Sequence, residues 1–189
     1  MKTRLPILFY ILLAIIILSC NGVTSNQPHT AEGFGQIAQE IKTKFGDTAY
    51  FTDILINSDD RIGNIITLTV TESPESMKMG QWSLAQNSWT QTSEITLEVP
   101  EGTKAADYMF QLDATINLEK MGGLVEKAKE QLTAKKDIQN PTLYTALIQY
   151  PKNGDIANAQ YNISLQPEIG GTTFYFYYKL DGELIKMDY

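Results

Sequence analysis

The chain has few of the residues on which most nucleophilic and metal-dependent sites depend. It contains one cysteine and one histidine among 189 residues. A single cysteine excludes a disulfide within the chain and a zinc site built from several cysteines. The histidine, His29, lies in the polar stretch "NGVTSNQPHTAEG", where nothing would hold an imidazole in the orientation that a catalytic triad needs. No paired-histidine zinc motif, Gly-rich phosphate loop or nucleophile elbow occurs either. We therefore expect no catalytic residue, no cofactor and no metal site.

A hydrophobic run long enough to cross a membrane is also missing. The apolar run from Leu5 to Leu18 is shorter than the ~20 residues that a spanning helix needs. Lys2 and Arg4 precede it, which is typical of an export signal, and Ser19 stands directly before Cys20. The resulting sequence "ILSC" resembles the lipobox of bacterial lipoproteins. The resemblance implies cleavage after residue 19 and attachment of lipid, palmitate included, to Cys20. The alternative is an uncleaved anchor.

Positive charge is scarce. The chain has 15 basic and 22 acidic residues, a formal net charge of −7. Removing residues 1–19 takes away Lys2 and Arg4, which leaves 13 basic against 22 acidic residues and a net charge of −9. Nucleic acid and anionic lipid head groups repel such a chain, so neither is an expected partner. The stretch after Cys20, "NGVTSNQ", lacks an acidic cluster that resembles a surface-export signal. This favours a lipid-anchored location in the cell envelope, on the periplasmic side of the outer membrane.

Two stretches of the chain resemble each other. Pairing Phe51 with Tyr144 sets an offset of 93, at which "FTDIL" meets "YTALI" and "LTVTESPE" meets "YNISLQPE". An offset of 91 pairs the apolar positions of two helical patterns, "EGFGQIAQEIKTKFG" and "LEKMGGLVEKAKEQLTAKK". Each helix precedes a series of strand patterns, and "LDGEL" is a hairpin signal because Gly182 can supply the positive φ of a tight turn. The sequence therefore predicts an α+β fold with two similar helix-plus-antiparallel-sheet units in tandem.

This interpretation divides the chain into five segments. Residues 1–19 form the signal peptide, and residues 20–32 form a tether that is disordered as far as about His29. Residues 33–99 form the first α+β unit, residues 100–117 a connector, and residues 118–189 the second α+β unit. Glu75 and Glu168 hold matching loop positions, but each follows a proline, which indicates turns rather than an ion site.

Strand alternation predicts a sheet face that the helices do not cover. In "TTFYFYYKL", if Phe174, Phe176 and Tyr178 point toward a helix, the intervening tyrosines stand on the open face. The neighbouring strand would add a polar row of Gln160, Asn162 and Ser164 to that face. Large amphipathic rings on such a surface suit recognition of an envelope protein or a glycan. The predicted binding residues are Tyr175, Tyr177, Trp82 and Trp89. The alternative is that these rings fill the seam between the two units.

Carboxylates offer the remaining chemistry. The stretch "SDDRIGN" puts Asp59 and Asp60 beside Asn64, but it lacks the alternating acidic spacing and terminal Glu of a calcium loop. We therefore interpret it as a solvated turn between strands. Asp53 and Asp113 belong to a second hypothesis, in which the protein is an envelope hydrolase or a glycan-processing enzyme.

The closing hairpin, "YYKLDGELIKMD", and the order of helix and then meander in each half resemble the small exported modules of the PepSY and beta-lactamase inhibitory protein type. The resemblance implies an antiparallel sheet laid against a helix and a role as an inhibitor or binding module. The chain also resembles uncharacterised lipoproteins of Gram-negative bacteria, of the Bacteroidota kind. The expected function is that of a lipid-anchored envelope binding or accessory protein without catalytic activity.

Overall fold

The computed structural model describes residues 24–151 and 153–189. Its two α-helices are α1 (Ala31–Phe45) and α2 (Leu118–Lys136). The strands of the first half are β1 (Tyr50–Asp59), β2 (Gly63–Thr71), β3 (Lys78–Ala85) and β4 (Ser88–Thr96). Those of the second half are β5 (Thr142–Gln149), β6 (Gln160–Gln166), β7 (Phe174–Lys179) and β8 (Leu184–Asp188). The predicted signal peptide and Cys20 lie outside the described residues.

The described strands form one eight-stranded sheet in the order β4-β3-β2-β1-β5-β6-β7-β8. Every neighbouring pair is antiparallel, including the central pair β1 and β5 that joins the two halves. Along the chain, each half contributes one helix and then four strands in sequence order. The α+β class that the sequence predicted is therefore confirmed.

Capping residues and apolar spacing explain where the helices lie. The Thr30 side chain accepts a hydrogen bond from the Gly33 amide at the start of α1, and Asn117 does the same for Lys120 at the start of α2. Helix α1 ends at Gly46, whose φ of 90° few other residues adopt readily. Both helices bury residues spaced three and four apart, which forms one apolar stripe on each. These are Phe34, Ile37, Ile41 and Phe45 on α1, and Met121, Leu124, Val125, Ala128 and Leu132 on α2.

The two helices and one face of the sheet enclose the main hydrophobic core. In β7, Phe174, Phe176 and Tyr178 are buried on this side, as alternation predicted. The Tyr178 hydroxyl donates a hydrogen bond to Gln131 Oε1 at 3.3 Å, and burial raises the pKa of Tyr178 to about 12. This strand therefore has one face fixed in the core, and its intervening residues must point to the opposite side.

Two β-bulges show that the predicted residue alignment between the two halves is shifted by one residue. The β1–β2 ladder shifts register between Phe51 and Asp53, and the β5–β6 ladder shifts between Leu143 and Thr145. Phe51 is 2% exposed, whereas Tyr144 is 48% exposed. The pairing of Phe51 with Tyr144 is therefore wrong, because a shift of one residue moves a side chain to the other face. Phe51 and Leu143 are the two buried residues that directly precede the bulges.

The polar segment before α1 is attached to the body of the protein, contrary to the predicted tether. Ser25 is only 3% exposed, and it exchanges two hydrogen bonds with Asn87 in the β3–β4 turn. The buried Asn64 side chain donates to the Gln27 carbonyl at 2.8 Å and hydrogen-bonds His29 Nε2 at 2.8 Å. We call residues 24–30 the strap. Its hydrogen bonds to the β3–β4 turn and to the start of β2 replace the apolar contacts that its composition lacks.

Candidate functional site

The sheet face opposite the helices is the candidate site, and we call it the open face. Strand pairing aligns a row of side chains across its middle, on β3, β2, β1, β5, β6, β7 and β8: Ser83, Thr67, Leu55, Leu147, Asn162, Tyr177 and Lys186. A second row runs beside it through Asn57, Thr145, Ser164, Tyr175 and Asp188. Hydroxyl and amide groups dominate both rows, with two leucines at the centre and two tyrosines toward one side.

The segment between β4 and α2 covers one corner of this face. Met79 points away from the helices and is buried with Ala105 and Met109 in a small second cluster. Tyr50, Leu97 and Val99 pack around that cluster. The corresponding side of β7 stays accessible, since Tyr175 is 44% exposed and Lys179 is exposed as well. The accessible part of the open face therefore belongs mainly to the second half of the chain.

Tyr175 and Tyr177 both lie on the open face, where alternation predicted them. Tyr177 is partly buried, and Lys186 Nζ stands 4.5 Å from the centre of its ring. Lys186 also bonds Asp188 at 2.6 Å, and this hydrogen bond raises the pKa of Lys186. Both charged side chains are more than half exposed, so the ion pair adds little stability. Its effect is to hold a cation over one tyrosine at the edge of the site.

Asn162 is an unusual member of the middle row. Its Oδ1 atom is buried and, within the described part of the chain, is the one buried side-chain polar atom without a hydrogen-bond partner. Its neighbours on the two adjacent strands are Leu147 and Tyr177. By contrast, the hydroxyls of Thr145 and Ser164 in the next row bond each other at 2.5 Å. An unpaired buried acceptor destabilises a fold, so the amide occupies a position where an apolar side chain would be more stable.

Trp82 and Trp89 do not belong to the open face. Both rings pack edge-on against Phe45 at the end of α1, with ring centres 5.4 and 5.0 Å away. The indole nitrogen of Trp89 donates to Glu40 on the same helix at 3.0 Å. The prediction that grouped the tryptophans with the two tyrosines on one surface is therefore wrong. Their strand positions place them on the helix side, where they extend the core.

The carboxylates of the enzyme hypothesis hold local structural positions. Asp113 Oδ1 accepts hydrogen bonds from the amides of Thr115 at 2.7 Å and Ile116 at 3.1 Å, which closes the turn before α2. Asp53 lies in β1 beside the bulge, where its carboxylate accepts a hydrogen bond from the Thr52 hydroxyl at 2.9 Å. Two surface depressions, of about 190 and 350 Å³, are lined in part by Asp113, and neither is lined by Asp53. The pair therefore shares neither of these two depressions.

Asp59 makes the turn that the sequence predicted. Its Oδ1 accepts hydrogen bonds from the amides of Arg61 at 2.8 Å and Ile62 at 3.0 Å. These two bonds favour the carboxylate and lower the pKa of Asp59. Within residues 24–151 and 153–189, no group of three or more His, Cys, Asp or Glu side chains could hold a metal ion.

Sequence reasoning missed three members of the open face. Leu55 and Leu147 are partly buried at its centre, and Tyr144 is exposed at the bulge of β5. The leucines follow the same alternation that located the tyrosines, so the strand pattern did contain their signal. Tyr144 carried no such signal, because a bulge interrupts alternation and re-aims a side chain.

Comparisons with known proteins found a solved structure of limited similarity. The sequence matches no protein-family model and no curated protein. Among solved structures, the crystal structure of a "putative lipoprotein" from Clostridium difficile 630 is similar with a TM-score of 0.48. The match has 12% identity and covers 80% of this chain and 89% of that one. Neither a family nor a function passes from that protein to this chain at such similarity. In the part of the chain that the structure describes, no helix has the length and hydropathy of a membrane span.

Proposed function

We propose that the protein is a lipid-anchored binding or accessory protein of the cell envelope, that it has no catalytic activity, and that it recognises an envelope protein or a glycan. The observation that carries the proposal is the accessible half of the open face. Tyr175 and Tyr177 stand there beside hydroxyl and amide side chains, while the opposite face of the same strand is fixed in the core. Tyrosine gives a large contact area at small entropic cost and hydrogen-bonds with its hydroxyl.

Asn162 gives this proposal independent support. A buried acceptor without a partner lowers stability, and such features are common at functional sites rather than in plain structural sheets. The residue lies directly beside Tyr177 on the neighbouring strand. A recognition role for this surface would explain why the position holds an amide.

The binding proposal is tested with two retention experiments, one on envelope proteins and one on envelope glycans. The lipidated chain and its Tyr175→Ala, Tyr177→Ala variant are each used to capture proteins from envelope extract, and each is applied to immobilised envelope glycans. We expect a component that the parent chain retains and the variant releases. A Trp82→Ala variant is the control, since this ring lies on the other face. Equal retention by the parent and the tyrosine variant in both arms would refute the proposal.

The anchor is proposed from the sequence alone, because Cys20 lies outside the described residues. The "ILSC" pattern after a short apolar run supports lipidation of Cys20 and retention on the periplasmic side of the outer membrane. Cys20→Ser is expected to release the protein from the membrane fraction or to stop its processing, as measured by fractionation and by incorporation of a tagged fatty acid. A processed Cys20→Ser chain that stayed in the membrane would contradict the anchor.

The tandem arrangement is likewise part of the proposal, and strand pairing supports it in two ways. The two bulges occupy equivalent positions, which makes residue 51 equivalent to 143 and residue 55 equivalent to 147. Leu55 and Leu147 pair directly at the β1–β5 junction, and the flanking pairs Asp53–Gln149 and Asn57–Thr145 then exchange under a two-fold rotation. Duplication of one helix-plus-meander unit produces this symmetry without further assumptions. The order of helix and then meander in each half also resembles the PepSY and beta-lactamase inhibitory protein type, and this resemblance supports the proposal.

A further inference from the structure

One end of the sheet gathers the strap and several strand connections. The β1–β2 turn (residues 60–62), the β3–β4 turn (residues 86–87) and the β6–β7 loop (residues 167–173) all lie at this end, because the ladders pair Asp59 with Gly63, Ala85 with Ser88, and Leu165 with Phe174. We call it the strap end. Ser25 is hydrogen-bonded to Asn87 there. The Ser25 carbonyl oxygen also lies so close to Gly63 that a Cβ added to Gly63 would be 2.1 Å from that oxygen. The described chain therefore begins at the strap end.

The strap end also carries the most exposed large hydrophobic side chains of the described residues. Ile169, in the β6–β7 loop, is 92% exposed, and Tyr189, directly after β8, is 71% exposed. Tyr144, at the start of β5, belongs to the same end and is half exposed. An isoleucine at a loop tip flanked by tyrosines has the composition of a membrane–water interface, where aromatic rings occupy the head-group level.

Charge at the strap end is nearly balanced, in contrast to the rest of the chain. Its basic side chains are Arg61, Lys135, Lys136 and Lys186. Five carboxylates stand against them, two in Asp59 and Asp60 and one each at positions 137, 168 and 188. The whole sequence has 15 basic and 22 acidic residues, so the acidic excess lies mainly elsewhere. An anionic lipid surface therefore repels this end less than it repels the acidic remainder of the chain.

We propose that the strap end is a membrane-contact surface, which rests on the lipidation of Cys20 in the proposed function. Cys20 precedes Thr24 by four residues, and four residues span at most about 14 Å. The strap is hydrogen-bonded to the body from Ser25 onward, so no long tether separates the body from the lipid. The bilayer lies within that distance of the strap end, and the Ile169 loop enters its interfacial layer.

A label on a single introduced cysteine tests this contact, because the lipidated chain has no free thiol of its own. The full-length gene is expressed, and the purified lipidated protein is placed in vesicles of zwitterionic lipid. Ile169→Cys carries an environment-sensitive fluorophore at the strap end. Ile156→Cys is the matched control, since Ile156 is also an exposed isoleucine but lies before β6 at the opposite end of the sheet. Lipid-attached quenchers then report the contact of each label with the bilayer.

We expect lipid-attached quenchers to reduce the emission at position 169 roughly twofold or more and to leave position 156 unaffected, since interfacial insertion reaches about 5–10 Å. Equal quenching at the two positions, or quenching at 156 alone, would overturn the proposal. If neither label is quenched in vesicles but the cysteine at position 169 is protected from thiol reagents in whole cells, a protein covers this end. That result would also overturn the membrane-contact proposal. The unmodified chain separates the two proposals. Thiol labelling of its Cys20 would refute lipidation, whatever the labels at 169 and 156 report.

Discussion

The two outward tyrosines of β7 allow binding to be separated from folding. The double variant Tyr175→Ala, Tyr177→Ala removes two rings that are each about half in water, since Tyr175 is 44% exposed and Tyr177 is partly buried. Full burial of a large apolar side chain contributes ~1.5–3 kcal/mol, so each half-buried ring contributes about 1 kcal/mol. The Lys186 ammonium over Tyr177 adds ~0.5–1 kcal/mol. The free energy of unfolding should therefore fall by about 2–3 kcal/mol in total.

Phe176→Ala is the matched comparison in the same strand. Phe176 lies between the two tyrosines, faces the helices and is fully buried. Truncating this one ring should cost ~3–5 kcal/mol, as much as or more than both tyrosines together. Urea titration at constant pH gives the free energies of unfolding of the parent chain and of the two variants. Partner binding should fall by ~2 kcal/mol or more in the tyrosine variant. A double variant that loses much more stability than Phe176→Ala would show that the tyrosines are core residues, and the binding proposal would then fail.

Three further predictions concern the packing of the helices, the strap and the open face. Gly122→Ala should lower the free energy of unfolding by ~1–3 kcal/mol, because the new Cβ would lie 2.2 Å from the Thr30 carbonyl oxygen. Gly123→Ala is the control and should raise the free energy of unfolding by up to ~1 kcal/mol, since its Cβ would make only ordinary contacts. Equal effects of the two substitutions would refute the close approach of the helices at Gly122. Burial lowers the pKa of His29, so the stability that the neutral imidazole contributes should be complete above the ordinary pKa of about 6.5 and be lost as the pH falls below it. Hydrogen-exchange protection factors of the strap amides, corrected for the intrinsic rate at each pH, should fall there, and His29→Gln should remove that pH dependence. Asn162→Val should raise the free energy of unfolding by ~1 kcal/mol and weaken partner binding, whereas a loss of stability would mean that the amide has a structural partner.

Local sequence patterns predicted the elements of this fold well. The helical spacing ending at Gly46 corresponds to α1, and the Asp181–Gly182 signal corresponds to the β7–β8 turn, where Gly182 has a φ of 94°. Both depend on neighbours within a few residues, so a single sequence contains the information. The position of Tyr175 and Tyr177 was predictable for the same reason, because β7 alternates without interruption as far as Tyr178.

Features that depend on a distant partner were not predictable in this way. The bulge at Tyr144 exists only relative to β6, and it shifted the alignment of the halves by one residue. The ring of Trp82 packs against Phe45, a residue 37 positions away in the chain, and no local pattern indicated that contact. The strap has the polar composition of a disordered segment, yet Ser25 and Asn87 satisfy each other across 62 residues. Composition reports how much apolar surface a segment can bury, but not whether its polar groups find partners.

The positions of the two proposed surfaces on the sheet have a geometric consequence. The strands run between the strap end and the opposite end, so a bilayer at the strap end leaves the open face pointing sideways. Tyr177 is the fourth residue of β7, whose first residue lies at the strap end. At ~3.3 Å per residue, its ring therefore stands roughly 10 Å above that end. The recognised partner must then approach along the membrane surface.

A longer tether tests this arrangement. About ten Gly and Ser residues inserted between Val23 and Thr24 add roughly 17 Å of average reach without touching the hydrogen-bonded strap. Lipidation and the free energy of unfolding should stay unchanged, because no described contact is altered. The bilayer quenching of a label at Ile169 should fall, since the body is no longer held within reach of the lipid. Retention of a membrane-bound partner by the open face should weaken in parallel, whereas binding of the same partner in detergent solution should not change. Unchanged quenching would mean that the short connection to Cys20 does not orient the body.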